Sequence, residues 1–278
     1  MIRASCSGPR PASPVAALTR ALVLAGAVAM VGCAKSAPGV GGTTAAPATT
    51  ASLGRALGKP VAEMTQAEIN DSVQRYTVAY ESNRDEKATG LAFAELLAAA
   101  GRSDQALAVM QQMAIKHSED RDVLAAYGKA QAGAGNLNGA LRSIRNAQRP
   151  DAPDWKLMSA EGAIHDQLGN SVQARALYKR ALDMAPGEAS ILSNLGMSYV
   201  LEGDLPTAES YLSAAAGAKG ADSRIRQNLA LVVGLQGRFK EAEAIASREL
   251  SPAQAEANLE YLRSMMSQRD DWKELDRA

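Results

Sequence analysis

Reactive side chains are scarce in this sequence. His117 and His165, with Cys6 and Cys33, are its whole stock of imidazole and thiol. No two of them stand at ligand spacing, so a zinc site is not expected. Charge of one sign is lacking too: 30 basic groups meet 30 acidic ones. Nothing basic and clustered is left to track a phosphate backbone, which argues against nucleic acid as a ligand. Aromatic residues make up 4% of the chain against 46% hydrophobic overall. That balance suits a helical stack rich in Ala and Leu better than a sandwich or barrel. The apolar run Ala21–Val31 is eleven residues long, too short to span a bilayer. Gly133-Ala134-Gly135-Asn136 is not a phosphate loop, because no Gly-Lys-Ser/Thr follows it. No nucleophile–base pair stands out, and an enzyme would need an appended catalytic domain for which no residues remain. The expectation is a non-enzymatic protein without cofactor, metal or small-molecule substrate.

What the chain does have is recurrence. Gly101, Gly135, Gly169, Gly203 and Gly237 lie 34 residues apart, and Ala106, Ala140, Ala174, Ala208 and Ala242 keep the same step in constant phase. Glycine is 23 of 278 residues, so chance would produce the four later glycines with a probability of roughly a few in 10⁵; a structural repeat is the better account. The spacing predicts two helices per unit, the first through about position 14 and the second from about position 18. The recurrent Gly ends the first helix by taking a positive φ. Helices approach to roughly 8–10 Å only where side chains are small. Gly128, Gly162 and Gly196 at position 8 and the Ala series at position 20 supply such contacts. Leu124, Met158 and Leu192 at position 4, with Ile144, Tyr178 and Leu212 at position 24, fill the space around them.

These units resemble tetratricopeptide repeats. The fullest match is Trp155–Glu188, with Gly162, Ala174, Tyr178, Ala181 and Pro186 in the family's pattern; Ala189–Asp222 adds Leu195-Gly196 and Tyr199. The outer units are looser, since Phe93-Ala94 and Leu229-Ala230 replace the Leu-Gly pair, and Glu249 and Gln254 depart from the pattern. The resemblance implies an all-α, right-handed superhelical solenoid of about five tetratricopeptide repeats with capping helices at both ends.

Five segments follow along the chain. Residues 1–32 hold Arg3, Arg10 and Arg20 ahead of the apolar run and read as a signal peptide. Met30-Val31-Gly32-Cys33 resembles a bacterial lipobox, in which Cys33 becomes the acylated first residue; an ordinary signal peptide with an incidental Cys is the other reading. Acyl chains contribute roughly 0.8 kcal/mol per buried methylene, so several together anchor stably. Ala34-Lys35 lacks the Asp associated with retention at the inner membrane, so the resemblance implies an outer-membrane anchor with the body facing the periplasm. Cys6 would leave with the signal, which leaves Cys33 without an intramolecular partner. Residues 33–60, the anchor and a stretch rich in Ala, Gly, Ser, Thr and Pro, read as a flexible linker. Residues 61–86 form an N-terminal cap, with a capping box at Thr65-Gln66-Ala67-Glu68 and Ile69, Val73, Tyr76 and Tyr80 at helical spacing. The repeats occupy 87–250. Residues 251–278 form a C-terminal capping helix and tail: Ser251-Pro252-Ala253-Gln254 is a second capping box, Ala255, Leu259, Leu262 and Met266 give an apolar stripe, and Trp272 has no assigned role.

Binding is the expected activity. By the resemblance, positions 2, 5, 6, 9, 12 and 13 of the first helices build the concave wall. Lys156, Ser159, Asp166 and Gln167 make it polar in the third unit; Met197, Val200 and Leu201 make it apolar in the fourth, and Leu231 and Leu235 continue it. Such a gradient suits an amphipathic helix or an extended apolar segment, although the same residues could pack on a neighbouring helix or the C-terminal cap. The candidate groove residues are Glu95, Lys129, Ser193, Asn194, Met197, Val200, Leu201, Gln227, Asn228 and Leu231. Asn194 and Asn228 recur at position 6, but position 9 holds Glu95, Lys129, Ala163, Met197 and Leu231, so the family's carboxylate clamp is not formed. His165 reads as a packed structural residue and His117 as solvated.

Lipobox, tether, five repeats, the run Arg226–Phe239 with Glu241-Ala242-Glu243, and the segment Ser251–Leu262 together look like TadD-type lipoproteins of the tight-adherence (Flp) pilus system. The likeness implies an accessory of pilus assembly that binds a component of the pilus or secretion machinery, such as the secretin in a pilotin-like role. A repeat adaptor for outer-membrane protein assembly, or for recruiting peptidoglycan enzymes, is the alternative.

Overall fold

The computed structural model describes residues 58–248 together with Glu256, Ala257, Glu260 and Leu262, Arg263 and Ser264. The expected signal peptide, the Cys33 anchor, almost all of the linker, and Ala255, Leu259, Met266 and Trp272 lie outside the described residues.

The described chain is helical, and its β-structure is limited to one isolated bridge between Arg149 and Ala152. After a short 3₁₀ turn, Val61–Glu63, come α1 (Gln66–Ser82), α2 (Lys87–Ala99), α3 (Ser103–Lys116), α4 (Arg121–Gly133), α5 (Leu137–Ala147), α6 (Trp155–Gln167), α7 (Ser171–Met184), α8 (Ala189–Glu202), α9 (Leu205–Gly217), α10 (Ser223–Leu235) and α11 (Phe239–Ala246). Helices α2 to α11 are five successive pairs in which each helix packs on the next. This is the expected all-α tetratricopeptide-repeat solenoid. The second helix of every pair starts at position 17, one residue earlier than the spacing predicts.

Helix ends are set by residues that recur with the repeat. Glu86, Asp120, Asp154, Glu188 and Asp222, each just ahead of a first helix, accept hydrogen bonds from backbone N–H groups of its first turn. A carboxylate there satisfies orphan donors and meets the positive end of the helix dipole. At the other end the five period-defining glycines have φ between +74° and +84°. The N–H after each glycine reaches the carbonyl five residues back, as from Asn170 to His165 at 2.8 Å, Asn136 to Gln131 at 2.8 Å and Arg102 to Leu97 at 2.8 Å. That closure satisfies a carbonyl the helix would otherwise leave open and sends the chain back along its partner.

Packing within the three central pairs rests on the glycine at position 8. A Cβ built on Gly128 would lie 2.8 Å from Ile144 Cγ1, on Gly162 2.7 Å from Tyr178 Cε1, and on Gly196 2.8 Å from Leu212 Cγ. The carbonyls of Ala140 and Ala208, at position 20, are nearly as close, 3.2 and 3.1 Å from the first and third of those points. In these three pairs a side chain at position 8 would collide with the large residue at position 24. The Ala series itself is fully enclosed.

Helix α1 carries the expected capping box: Glu68 N–H donates to Thr65 Oγ1 at 3.3 Å and Thr65 N–H to Glu68 Oε2 at 2.7 Å. Ile69, Val73 and Tyr80 are buried against the first pair. Past α11, buried Leu262 sits where a Cβ on Gly234 would be, 2.5 Å away, and Arg263 lies over the Phe239 ring.

Candidate functional site

First helices lie beside one another from unit to unit, and a cavity of about 560 Å³ opens along α2, α4 and the start of α6. Its apolar lining is mostly small: Leu91, Ala94 and Ala98 of α2, Ala125, Ala126 and Ala130 of α4, with Met110 of α3 and Leu157 of α6. Small side chains leave the trough open, with methyl groups along much of its lining. Carboxylates and cations edge it. Lys87 Nζ donates to Asp120 at 2.6 Å and Asp122 at 3.1 Å, and Arg121 pairs with Asp154 at 3.2 Å. These pairs repeat one contact 34 residues on, between the start of one first helix and the acid that caps the next. Partly exposed pairs of this kind contribute at most about 1 kcal/mol each.

Two candidate residues, Glu95 and Lys129, line this cavity at position 9 of adjacent first helices. Glu95 opens onto the trough, but its walls crowd the carboxyl, and that desolvation holds its pKa above the usual range against the pull of Lys129. Desolvation disfavours the ionised form of Glu95, and Lys129 offsets part of that cost.

The other candidates lie farther along the stack and outside the lining of this cavity. Ser193 is buried, and its hydroxyl accepts from Asn228 Nδ2 at 3.3 Å. Asn194 Nδ2 donates to Ser159 Oγ at 3.1 Å in the same way one unit earlier. The asparagines tie α8 to α6 and α10 to α8. Gln227 Nε2 donates to Ser223 Oγ within α10 at 3.0 Å. Met197, Leu201 and Leu231 are half-buried. Val200 corrects the expectation: it is 1% exposed and packs with Ala208, Leu212 and Val232. Whereas position 12 of the first unit, Ala98, faces the trough, in this unit position 12 turns into the helix seam, against position 24, rather than onto the concave wall. The same turn takes Asp166 off the polar wall on which the sequence put it.

Asp166 is the residue that sequence reasoning misplaced most. Tyr178 Oη donates to its Oδ2 at 3.0 Å and Ser198 Oγ to its Oδ1 at 2.8 Å, joining α6, α7 and α8. Burial pushes the carboxyl up to about 6 despite both donors. The same burial, with Asp166 beside it, drives the Tyr178 hydroxyl well above its usual range. Arg175 stands nearby, its Nη2 2.5 Å from Glu202 and its guanidinium 4.9 Å from the Tyr199 ring, which stacks on Tyr211.

His165 is packed as expected, 6% exposed beside Arg145 and Glu161, and burial lowers its pKa. His117 is not simply solvated: its Nε2 lies 3.0 Å from the carbonyl of Asp85 and ties the turn after α3 to that before α2. Among the described residues no group of three His, Cys, Asp or Glu side chains is placed to hold a metal ion, and no helix is long and apolar enough to cross a membrane.

A tetratricopeptide-repeat family model matches residues 90–112, in the first unit, although the sequence pattern reads more fully in Trp155–Glu188. No curated protein matches the chain. Among solved structures, TTC0263, a thermophilic tetratricopeptide-repeat protein of Thermus thermophilus, is 21% identical with a TM-score of 0.53, over 64% of this chain and 98% of that one. The APC/C hetero-tetramer Cut9–Hcn1 is 13% identical with a TM-score of 0.54, over 73% of this chain and 42% of that one. At such identities the likeness speaks for the fold alone. The chain is a solenoid of tetratricopeptide repeats, an architecture that serves as a scaffold for binding other proteins.

Proposed function

We propose that this protein is a lipid-anchored, non-enzymatic scaffold of Flp/Tad pilus assembly. It is held through Cys33 at the outer membrane, faces the periplasm, and captures a component of the pilus machine, the secretin in a pilotin-like role, in its concave trough. The observation that carries the binding reading is the cavity along α2, α4 and α6, with its small apolar lining, its charged edges, and Glu95 and Lys129 on its wall. A helix or extended segment presenting apolar side chains to the lining, and a cation to Glu95, matches it in shape and charge. The pilus assignment rests on the sequence likeness of Arg226–Phe239 and of the lipobox at Met30–Cys33.

Deleting the gene in its own bacterium and restoring it as wild type, as Cys33→Ala, or as Ala98→Trp tests the proposal. Loss of surface pili and of membrane-assembled secretin on deletion, rescued by the wild type alone, is the expected result. Intact pili after deletion would overturn the pilus assignment. Pili intact but outer-membrane proteins or peptidoglycan disturbed would favour the alternative adaptor role.

A further inference from the structure

From the second unit onward, adjacent units are joined where position 12 of a first helix meets position 24 of its partner and position 10 of the next first helix. Between the second and third units these are Ala132, Ile144 and Ile164, members of one apolar cluster. Between the fourth and fifth they are Val200, Leu212 and Val232, again apolar and closed to water. Between the third and fourth the same positions hold Asp166, Tyr178 and Ser198, bound to one another through the Asp166 carboxylate. A seam that is apolar in the joints on either side here contains an ionisable group.

We propose that the joint between the third and fourth repeats is a proton-sensitive seam, which closes tightly when Asp166 is neutral and opens more readily when it is ionised. The proposal is independent of the partner assigned above. An ionised Asp166 has two hydroxyl donors, but its charge is not fully offset. On α7 it faces Tyr178 and Arg175; on α8, Ser198 and Glu202; on its own helix, His165 precedes it. Arg175 favours ionisation, yet its Nη2 is already committed to Glu202, whose own charge opposes it. Desolvation is the largest influence, and it places the titration near 6. Opening the seam returns the carboxylate to water and relieves that cost, whereas a neutral carboxyl gains little from opening. The two blocks of repeats on either side would thereby change their freedom to move relative to one another between mildly acidic and neutral pH.

Two measurements on the whole chain test this. Carboxyl-carbon NMR of Asp166 should give a midpoint about two units above an ordinary aspartate; a midpoint near 4 would overturn the proposal. Amide hydrogen exchange, corrected for its intrinsic pH dependence, should show opening of α6–α8 rising by roughly tenfold between pH 5 and 7.5. The rise should vanish in Asp166→Asn. It should vanish too in the triple variant Asp166→Val, Tyr178→Leu, Ser198→Val, which copies the next seam. An unchanged rise in Asp166→Asn would assign the effect to another group and sink the proposal. If neither variant folds, the wild-type NMR midpoint still decides.

Discussion

Gly162 faces the ring of Tyr178 so closely that a single added carbon would stand 2.7 Å from Cε1. Tyr178 is 1% exposed and its hydroxyl is held by Asp166, so the ring cannot swing aside. Gly162→Ala should therefore lower stability by about 1–3 kcal/mol, although alanine is the better helix former by about 1 kcal/mol. Gly217→Ala, on α9 with nothing within 4 Å of the added carbon, should be neutral or stabilise by a few tenths of a kcal/mol. Urea denaturation of the two variants against wild type checks the contrast; equal effects would contradict the packing scheme.

The glycine that ends each first helix makes a separate prediction. Gly169 has φ +81°, so a side chain there meets backbone strain whatever the space around it. Gly169→Ala should cost about 1–2 kcal/mol, and Gly169→Asn less, because asparagine tolerates the left-handed region. The order of the two melting temperatures is the readout.

The acid caps can be tested at Asp120, which accepts from the N–H groups of Asp122 and Val123 and from Lys87. Asp120→Ala should destabilise by about 1–2 kcal/mol. Burial raises the Asp120 pKa, but Lys87 and the two N–H donors outweigh it and the net shift is downward. Its contribution is therefore present above the unfolded-state value, about 4, and lost as pH falls through the lower folded-state value. The stability gap between wild type and Asp120→Ala, measured by urea denaturation, should be constant near neutral pH and narrow below about pH 4.

Asp166 has the opposite sign. Its folded-state pKa, about 6, lies above the unfolded one, so its contribution is complete below about pH 4 and is lost as pH rises through about 6. The slope it adds approaches about 1.4 kcal/mol per pH unit within that window at most. Wild type minus Asp166→Asn stability, measured from pH 4 to 8, should fall with rising pH; a flat difference would mean an ordinary titration.

Much of this was legible because the repeat imposes one solution on successive units. The step of 34 gave the position-15 glycines, which take positive φ in all five units, and the close approach of position 8 to a large residue at position 24, which the three central units show. The acid series Glu86, Asp120, Asp154, Glu188, Asp222 was equally visible and has an equally local meaning, but acids are common enough to hide in a charged sequence. Side-chain direction was harder. Val200 and Leu201 are neighbours on one helix, yet one fills the seam and the other is half-exposed, a difference set by the rotation of α8 against α9. The Asp166–Tyr178–Ser198 group needs three helices at once, and the location of the trough depends on where alanines fail to fill space. Neither follows from periodicity.

Photo-crosslinking through a residue placed at Ala98, exposed on the trough lining, against one at Val172, 75% exposed on α7, tests the central claim most directly. In the living bacterium the account predicts a crosslink from position 98 to the secretin, abolished by Glu95→Lys, and none from position 172. A secretin crosslink from position 172 alone would contradict capture in the trough.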